Sequence, residues 1–383
     1  MAYPATNEAE MNETGHVADM RAELQRIAAL PADAPQGLPG RFYTDPAFFD
    51  YECQTILRQG WHCLGRADEI PEEGDYFTIQ ILSEPLIVVR TGGEVRVLSN
   101  VCRHRGMPVA EGAGTAKRFI CSYHAWTYAL DGELKRAARM KNAGFEMAKC
   151  ALPTFPSAER MGFIYVSLND DPSDLDAELD SLDTLVGAYE ADAFHLVHSA
   201  QEIWRTNWKC LVENFMEGYH LSVVHPQTLH GYTPTGLSEK AASGPGFTSY
   251  NAKYPEDAPT RGYGSSGLSD VERRRSSLYS IFPCQVVSQA ATLLVSLSIL
   301  PLTVDSIDVR WTVSTYGDDL DEETLKARIK LWEDVNTEDR EKLEKMQTAL
   351  GSRHATGGPL AGEDYEGTVH DFLMWLARQD AAT

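Results

Sequence analysis

The stretch Cys102–Trp126, CRHRGMPVAEGAGTAKRFICSYHAW, contains two cysteine–histidine pairs with sixteen residues between them. The first pair is Cys102 and His104, and the second is Cys121 and His124. Closely spaced pairs of this kind are typical of metal sites formed by two loops. A structural zinc site would more usually offer Cys-x-x-Cys followed by two histidines. A binuclear iron–sulfur cluster explains the mixture better, with one iron bound by both cysteines and the other by both histidines. The alternatives are a structural zinc site and a chance combination of buried cysteines and exposed histidines.

The sequence around these pairs predicts short β-strands. The segment DYFTIQILSEPLIVVRTGGEVRVLS (75–99) consists of short apolar runs interrupted at SEP and TGG. Runs of this type, separated by turn residues, predict strands joined by tight connections. The segment FICSYHAWTYALDGELK (119–135) continues the pattern, with a hairpin turn expected at Asp131-Gly132. We therefore expect a small all-β domain over residues 42–167, with the candidate metal ligands on its turns.

Length, charge and cysteine content limit the classes of function. The 383 residues suit one large domain or two domains. The net charge of −22, from 34 basic and 56 acidic residues, argues against a nucleic-acid partner. Without a stretch of eighteen apolar residues or a basic-then-apolar leader, the chain is expected to be cytoplasmic and not membrane-spanning. The seven irregularly spaced cysteines predict reduced thiols and metal ligands rather than a disulfide framework.

The remainder of the chain mixes helical and extended patterns. Residues 1–41 predict a polar tail, a helix over Val17–Leu30 and a linker rich in Pro and Gly, which we expect to pack with the C-terminal domain. Residues 168–383 predict a second domain with an acidic helix, two or three strands within 285–317 and a long helix over 322–350. Residues 231–267 predict a long loop region.

The segment ENFMEGYHLSVVHP (213–226) offers a second candidate metal site. Glu213, Glu217 and His220 are spaced by four and three residues, which predicts one helical face. His225 follows, directly before Pro226, which ends the helix. Two histidines and a carboxylate suit a ferrous ion with open positions for dioxygen. The alternative is a helix that carries two histidines without a metal.

The long C-terminal helix supplies a candidate carboxylate. Its apolar stripe advances in steps of three and four through Leu325, Ile329, Trp332, Val335, Leu343, Met346 and Leu350. Between Val335 and Leu343 the stripe passes through Asp339, while the neighbouring acids fall beside it. An aspartate on the core face of a helix is costly unless a cation meets it. The sequence therefore predicts either an iron ligand or a buried salt bridge to an arginine.

These motifs resemble a known family. NVCRHRGM (100–107) and CSYHAWTYALDG (121–132) are similar to the Rieske [2Fe–2S] domain of Rieske non-heme iron oxygenases. NWKCLVENFMEGYHLSVVHP (207–226) and EDREKLEKMQ (338–347) are similar to the segments that bind the mononuclear iron in that family. The resemblance extends from the region of Trp61–Gly65 to GPLAGEDYEGTVHDFLMWLA (358–377). It implies an α+β chain, with an all-β Rieske domain followed by a larger catalytic domain in which helices flank an antiparallel sheet, a helix-grip fold.

The resemblance also implies the ligands of both centres. The [2Fe–2S] cluster is expected on Cys102, His104, Cys121 and His124. The mononuclear ferrous ion is expected on His220, His225 and Asp339. One departure is Ala125, where the family often has glycine; we expect its methyl group to be tolerated, because this residue supplies no ligand.

Glu217 occupies a position where most of the family has aspartate. In the family this acid links the Rieske cluster of one subunit to the iron of the next, which implies inter-subunit electron transfer and a ring, most simply a homotrimer. A glutamate here resembles the carnitine and betaine oxygenase branch. The alternative role is an ordinary acid that orients His220.

The resemblance implies the terminal oxygenase (alpha) subunit of a multicomponent oxidoreductase. Electrons are expected from NAD(P)H through a separate flavin reductase, a ferredoxin or both, because this chain has no Gly-x-Gly-x-x-Gly motif between a predicted strand and a predicted helix and no further ferredoxin-like cysteine cluster. The one match to the glycine spacing, GYGSSG (262–267), lies in the predicted loop region. We expect monooxygenation of a small organic molecule that leads to N- or O-dealkylation. An aromatic ring-hydroxylating dioxygenase is the alternative within the enzymes, and a zinc-stabilised binding module without redox activity is the alternative outside them. Pocket residues are expected within 228–300.

Overall fold

A computed structural model describes residues 8–31, 33–141, 144–259, 262–317 and 320–382, with side chains from residue 15 onward. The chain divides into two compact units, one over Gln59–Ser173 and one formed by the residues up to Arg58 together with those from Asp174 onward. Residues 1–7 of the predicted polar tail lie outside the described residues. None of the described helices is both long and apolar enough to cross a membrane.

The unit over Gln59–Ser173 is all-β, as predicted from its alternating runs. Its described strands form three antiparallel sheets, in the orders β1-β11-β10, β5-β2-β3-β4-β9 and β6-β7-β8. The strand bounds are β1 Trp61–Arg66, β2 Asp75–Ile81, β3 Glu84–Thr91, β4 Glu94–Ser99, β5 Ala113–Thr115, β6 Phe119–Ile120, β7 Thr127–Tyr128, β8 Leu134–Arg136, β9 Thr154–Phe155, β10 Ser157–Arg160 and β11 Phe163–Ser167.

The two cysteines of the motif belong to the core of this unit. Cys102 and Cys121 are buried in one cluster with apolar residues of the five-stranded sheet, such as Ile87 and Leu98. A buried thiol packs as a small apolar group, so the two cysteines hold their loops against the sheet. The predicted turn at Gly132 is present, with a φ of 87° and a hydrogen bond from its N–H to the Ala129 carbonyl.

The other unit contains a seven-stranded antiparallel sheet in the order β12-β18-β17-β16-β15-β14-β13. Its strands are β12 Phe194–Trp204, β13 Ser238–Lys240, β14 Phe247–Lys253, β15 Arg275–Ile281, β16 Gln285–Ala290, β17 Leu293–Thr303 and β18 Ser306–Tyr316. Its α-helices are α1 Glu8–Ala28, α2 Arg41–Thr44, α3 Pro46–Glu52, α4 Leu175–Val186, α5 Trp208–Phe215, α6 Leu221–Val224, α7 Glu322–Leu350 and α8 Glu363–Ala382. The antiparallel sheet with helices is the architecture that the resemblance implied.

The N-terminal segment joins this second unit through a buried ion pair. Lys209 of α5 and Glu52 of α3 are almost fully buried, and the Lys209 Nζ lies 2.7 and 2.8 Å from the two carboxylate oxygens. The Trp208 Nε1 donates a further hydrogen bond of 3.3 Å to Glu52. Separating this pair would leave a buried charge without a partner, which costs about 3–5 kcal/mol. Residues 42–58 therefore belong with the second unit, and the boundary falls between Arg58 and Gln59 instead of at the predicted 41/42.

The chain between Asn207 and His225 differs from the predicted continuous helix. It forms α5 and the short α6, with a turn between them that contains Glu217. Only glycine fits at position 218 in this turn, because a Cβ there would lie 2.1 Å from the Ser238 Oγ. The prediction that Glu213, Glu217 and His220 share one helical face is therefore wrong. The predicted loop region 231–267 also contains two strands, β13 and β14.

Candidate metal centres

The two loops that carry the cysteine–histidine pairs have the same backbone hydrogen bonds. In the first loop the Gly106 N–H donates to the Cys102 carbonyl at 2.9 Å, and in the second the Ala125 N–H donates to the Cys121 carbonyl at 3.0 Å. In both loops the cysteine N–H binds the carbonyl of the fifth following residue at 2.9 Å. Both cysteine–histidine pairs thus lie on tight turns with the same hydrogen bonds, and each turn carries one thiol and one imidazole.

The four side chains separate by type. The Cys102 and Cys121 side chains are buried, at 2% exposure each. His104 is half-buried and His124 is exposed, and their ring centroids lie 4.6 Å apart. Two thiols on the inner side and two imidazoles on the outer side match a cluster in which one iron is bound by sulfur and the other by nitrogen.

Two further observations test whether these residues fit a [2Fe–2S] cluster. The Nδ1 atom of His104 is buried and has no hydrogen-bond partner among the described residues. A buried ring nitrogen without a partner is costly, and metal ligation would satisfy it. The Tyr128 hydroxyl lies 3.3 Å from the Cys102 Sγ, and burial raises the pKa of Tyr128, which keeps the hydroxyl as a donor toward a thiolate. The residues present therefore fit the cluster.

The backbone of Ala125 adopts a left-handed conformation, which the identity of the metal ligands does not reveal. Its φ is 56°, and Gly106 at the equivalent place in the first loop has a φ of 76°. This left-handed region costs residues with a Cβ roughly 1–2 kcal/mol and costs glycine little. The expectation that the methyl group is tolerated because the residue binds no metal therefore left out the backbone, which is the reason for glycine at this position.

The second candidate centre joins three side chains from two parts of the chain. His220 directly precedes α6, His225 directly follows it, and Asp339 lies on the core face of α7. The Asp339 Oδ1 lies 3.1 Å from the Nε2 of His225 and 3.7 Å from the Nε2 of His220. One ligand atom from each side chain lies within 4.8 Å of the others, so a single ion can contact all three. Two imidazoles and one carboxylate are the donor set expected for ferrous iron with open positions.

Carboxylates fix the outer ring nitrogens of both histidines. Glu338 accepts a hydrogen bond from the Nδ1 of His225 at 2.8 Å and another from the Thr228 Oγ1 at 2.7 Å. Glu217 contacts the Nδ1 of His220 and accepts from the His220 backbone N–H at 3.0 Å. Such contacts set the ring orientation and leave each Nε2 directed at the proposed ion.

Asn214 contributes to the centre although the sequence patterns did not select it. Its Nδ2 lies 3.3 Å from the His220 Nε2 and 3.2 Å from the Asp339 Oδ1. Glu338 was likewise missed, because it lies beside the apolar stripe of α7 instead of on it. Both residues act through contacts between distant segments, and a local periodicity carries no signal for them.

The electrostatics of the triad indicate a missing positive charge. Burial lowers the pKa of His225, but the hydrogen bonds and charges of Asp339 and Glu338 outweigh it and raise the pKa overall. These contacts therefore favour a cation at the imidazole. The ion pairs found for Asp339 among the described residues are with His220 and His225, rather than with an arginine as the salt-bridge alternative requires. A divalent cation would satisfy the carboxylate without burying an extra proton.

A cavity of about 260 Å³ adjoins the triad. His220 and Asp339 form part of its wall, together with the carboxylates of Glu213, Glu217 and Glu366. Burial raises the pKa of Glu213 to about 7, although the Tyr43 hydroxyl lowers it by donating at 2.8 and 2.9 Å to its two oxygens. Four carboxylates and one lysine, Lys342, thus line the cavity, and Glu217 both lines it and contacts the ring of His220.

A second, smaller cavity of about 30 Å³ lies against the seven-stranded sheet. Nine of its twelve wall residues lie within 228–300, where pocket residues are expected, but none of the wall residues of the cavity beside the triad does, so the expected pocket region stays a prediction. Leu221 directly follows His220 in the chain, and Trp332 lies two helical turns before Asp339 on α7. The triad thus has one acidic and one mainly apolar cavity in its neighbourhood.

Two family models match the two units of this chain. The model of the Rieske [2Fe-2S] domain matches residues 60–156. The model of the ring hydroxylating alpha subunit (catalytic domain) matches residues 184–381, just over half of the chain.

Similar proteins lie in the branch that Glu217 suggested. The chain is 37% identical to the glycine betaine monooxygenase oxygenase subunit of Chromohalobacter salexigens over 195 residues, which cover 50% of this chain and 44% of the relative. It is 33% identical to the carnitine monooxygenase oxygenase subunit of Escherichia coli K12 over 207 residues, covering 53% of this chain and 55% of the relative. The chain therefore spans about half the length of these curated relatives.

A solved structure of a quaternary ammonium Rieske monooxygenase superposes on this chain with a TM-score of 0.82. The match covers 93% of this chain and 98% of that chain at 21% sequence identity. Identity at this level shows the fold, and the predicted α+β fold with a Rieske domain and a sheet-and-helix catalytic domain is confirmed.

The equivalent turns predict opposite effects of exchanging alanine and glycine. Ala125→Gly removes the left-handed strain and should stabilise the Rieske domain by about 0.5–1 kcal/mol, after the larger chain entropy of unfolded glycine is subtracted. The measurement is the temperature at which visible absorption of the cluster is lost, which should rise by about 2–4 °C.

Gly106→Ala is the matched control. A Cβ there meets no atom within 4 Å, so only the backbone conformation opposes it, and we expect about 1 kcal/mol of destabilisation. Equal melting temperatures for both variants and the unmodified protein would contradict the backbone account.

Proposed function

Because this chain belongs to the ring-hydroxylating alpha-subunit family and carries a Rieske [2Fe–2S] domain, we propose that it is the terminal oxygenase of a multicomponent monooxygenase. The observation that carries the proposal is the triad of His220, His225 and Asp339, whose ligand atoms lie within 4.8 Å of one another beside a cavity. A zinc-stabilised binding module would have no use for a second centre of this composition.

Two groups would be held by the residues described above. The cluster, on Cys102, His104, Cys121 and His124, supplies single electrons, and the ferrous ion, on His220, His225 and Asp339, supplies the chemistry of dioxygen. The protein contributes orientation: Glu217 and Glu338 hold the two imidazoles, and Asn214 contacts both His220 and Asp339.

The proposed reaction balances as R–H + O2 + 2 e⁻ + 2 H⁺ → R–OH + H2O. The two electrons come from NAD(P)H through a separate flavin reductase, a ferredoxin or both. When the hydroxylated carbon is bound to oxygen or nitrogen, the product breaks down to an aldehyde and the dealkylated alcohol or amine. Support for monooxygenation comes from the names of the glycine betaine and carnitine monooxygenase subunits. Hydroxylation of an aromatic ring is the alternative.

We also propose that Glu217 bridges the cluster of a neighbouring subunit and the iron, in a homotrimer, and so mediates electron transfer between them without itself being reduced. Support comes from its position, because its carboxylate contacts the ring of His220 and also lines the acidic cavity. The same contact suits the alternative role, in which Glu217 only orients His220. The two roles differ in the kinetics of electron transfer. A cytoplasmic location also stays a prediction, to be tested by cell fractionation.

The cluster assignment predicts the effect of Cys102→Ser. The variant should lose visible absorption and acid-labile sulfide, while the separate catalytic domain still binds about one iron per chain. Cys150→Ser is the control. Because Cys150 lies outside both loops, this variant should keep the cluster. Retention of full sulfide in Cys102→Ser would contradict the ligand assignment.

The iron assignment predicts the effect of Asp339→Ala. Loss of the carboxylate should remove mononuclear iron and lower turnover more than about 100-fold, since even a residue that only supports a metal ligand costs 10–100-fold. The visible spectrum of the cluster should be unchanged. Asp334→Ala, which removes an exposed acid paired with Lys330 on the same helix, should keep iron and activity. If Asp339→Ala retains both, the ligand lies elsewhere.

The electron-transfer proposal predicts that Glu217→Gln keeps both metal centres and a reducible cluster, yet slows reoxidation of the cluster in the presence of substrate and dioxygen. The neutral amide keeps the size and one acceptor but loses the charge. Stopped-flow absorption measures the rate. An unchanged rate would leave only the orienting role.

Mixed oligomers separate inter-subunit from intra-subunit transfer. Chains with Cys102→Ser and chains with His220→Ala should each be inactive, and co-assembly should restore part of the activity because an intact cluster then meets an intact iron across some interfaces. No recovery in verified mixed oligomers would contradict both the bridge and the ring.

A further inference from the structure

The wall of the cavity beside the triad includes a carboxylate, Glu213, that neither orients a histidine nor is a candidate ligand. Glu213 and Asn214 follow Cys210 by three and four residues, and all three line the cavity, so they share one face of α5. The candidate ligands His220 and Asp339 belong to the same wall. Glu213 is half-buried and thus lies on the side of α5 that faces the candidate iron site.

Contacts with two other helices hold this carboxyl group. The Tyr43 hydroxyl of α2 lies 2.8 and 2.9 Å from the two oxygens of Glu213. Tyr43 is buried, and its carbonyl accepts a hydrogen bond of 2.9 Å from the Nε2 of Gln347 on α7. The nearby Lys209 is occupied by its ion pair with Glu52. The direct partner of Glu213 is therefore a neutral hydroxyl, which holds the carboxyl group without requiring that it be ionised.

The titratable groups that act on Glu213 come from the helices around it. They are Tyr43 of α2, Glu52 of α3, Lys209 and Cys210 of α5 and Glu366 of α8, while Glu217 and Lys342 line the same cavity. Burial raises the pKa of Glu213 most, the charges of Glu366 and Glu52 add to this, and Tyr43 and Lys209 oppose it. The resulting pKa of about 7 leaves the carboxyl group partly protonated at neutral pH. A proton donor works best when its pKa lies near the working pH.

The proposed reaction consumes two protons beside this cavity. One atom of dioxygen enters the product, and the other leaves as water, which takes up two electrons and two protons. Met346 is 40% exposed and lines the cavity together with the candidate ligands, so the cavity extends to the surface of this chain. The volume of about 260 Å³ accommodates several water molecules, which can pass a proton between groups that are not in direct contact.

We propose that Glu213 is a proton-relay residue, which releases a proton through cavity water to the oxygen atom that leaves as water and then recovers a proton from solvent. The proposal rests on the proposed function and adds a residue to it. In this step the O–H bond of the carboxyl group breaks and an O–H bond of the product water forms, while the electrons come from the reductase. Tyr43 is a positioning residue that holds the carboxyl group and lowers its pKa.

Infrared spectroscopy measures the protonation of Glu213 without turnover. The difference between spectra of the unmodified protein and of Glu213→Gln should contain a carboxylic acid C=O band that disappears as the pH rises through about 7. Tyr43→Phe removes the hydrogen bond that favours the carboxylate, so the midpoint should rise by about 0.5–1 pH unit. Tyr51→Phe is the control, because its hydroxyl donates to Asp380 at 2.9 Å and lies outside the cavity wall. A midpoint at the ordinary value of a glutamate would overturn the proposal.

The reaction of the reduced protein with dioxygen tests the proton transfer itself. Reduction to hydrogen peroxide also consumes two protons and needs no organic substrate, because O2 + 2 e⁻ + 2 H⁺ → H2O2. Stopped-flow absorption follows reoxidation of the dithionite-reduced cluster, alone and with trimethylamine or anisole present, and Asp339→Ala gives the rate without the iron. The iron-dependent rate should fall as the pH rises through about 7, because the carboxylate has no proton to donate. Glu213→Gln should lower the rate at least about tenfold below that pH and abolish the dependence.

Tyr43→Phe distinguishes Glu213 from the candidate histidine ligands, which also titrate. If Glu213 supplies the proton, the midpoint of the rate should rise together with the infrared midpoint in this variant. A midpoint set by the histidines would stay in place and overturn the proposal. The melting temperature and the cluster absorption check that each variant folds, and a direct comparison of Tyr43→Phe with the unmodified protein keeps the test if Glu213→Gln does not fold.

Failure of the relay and failure of the proposed function give different results. An infrared band that titrates as expected, with a rate that does not depend on pH, would contradict the relay and leave the oxygenase intact. A protein whose iron produces no reaction with dioxygen under any of these conditions would contradict the proposed function and, with it, the relay.

Discussion

A buried carboxylate that needs a cation determines the arrangement of the catalytic domain. Asp339 lies on the core face of a helix of 29 residues and meets the Nε2 atoms of two imidazoles. The two histidines flank a helix of only four residues, so the turn before it must place His220 within reach of α7. Gly218 allows that turn, and Glu217 and Glu338 hold the outer ring nitrogens. Together these contacts hold the two imidazoles beside Asp339.

The Rieske domain places its four candidate ligands with two copies of the same turn. One turn geometry is used twice, and in both cases the thiol side chain points into a core cluster while the imidazole lies nearer the surface. Core packing holds the cysteines in place, and the left-handed residue four positions after each cysteine, Gly106 or Ala125, closes the turn. The sheet beneath the site and two backbone conformations therefore place the four side chains.

The sequence predicted these centres where their signals are local. Each cysteine lies two or three residues from its histidine, and Asp339 interrupts a regular apolar stripe, so spacing marks them as candidate ligands and the family resemblance assigns the metals. Glu338 and Asn214 could not be found in this way, because their partners lie 113 and 125 residues away. The turn after α5 depends on the close approach of Gly218 to Ser238. The boundary at Arg58 depends on the ion pair between Lys209 and Glu52. Such contacts exist only after the chain has folded, and neither periodicity nor composition records them.

The central claim is that one chain holds two iron centres of different composition. Mössbauer spectroscopy of protein grown with 57Fe, purified without oxygen and analysed for sulfide, tests it most directly. The account predicts about three irons and two sulfides per chain, with about one third of the iron as mononuclear high-spin ferrous ion and the remainder in a cluster with two inequivalent irons. Zinc in stoichiometric amount without sulfide, or cluster iron with no ferrous component, would contradict it.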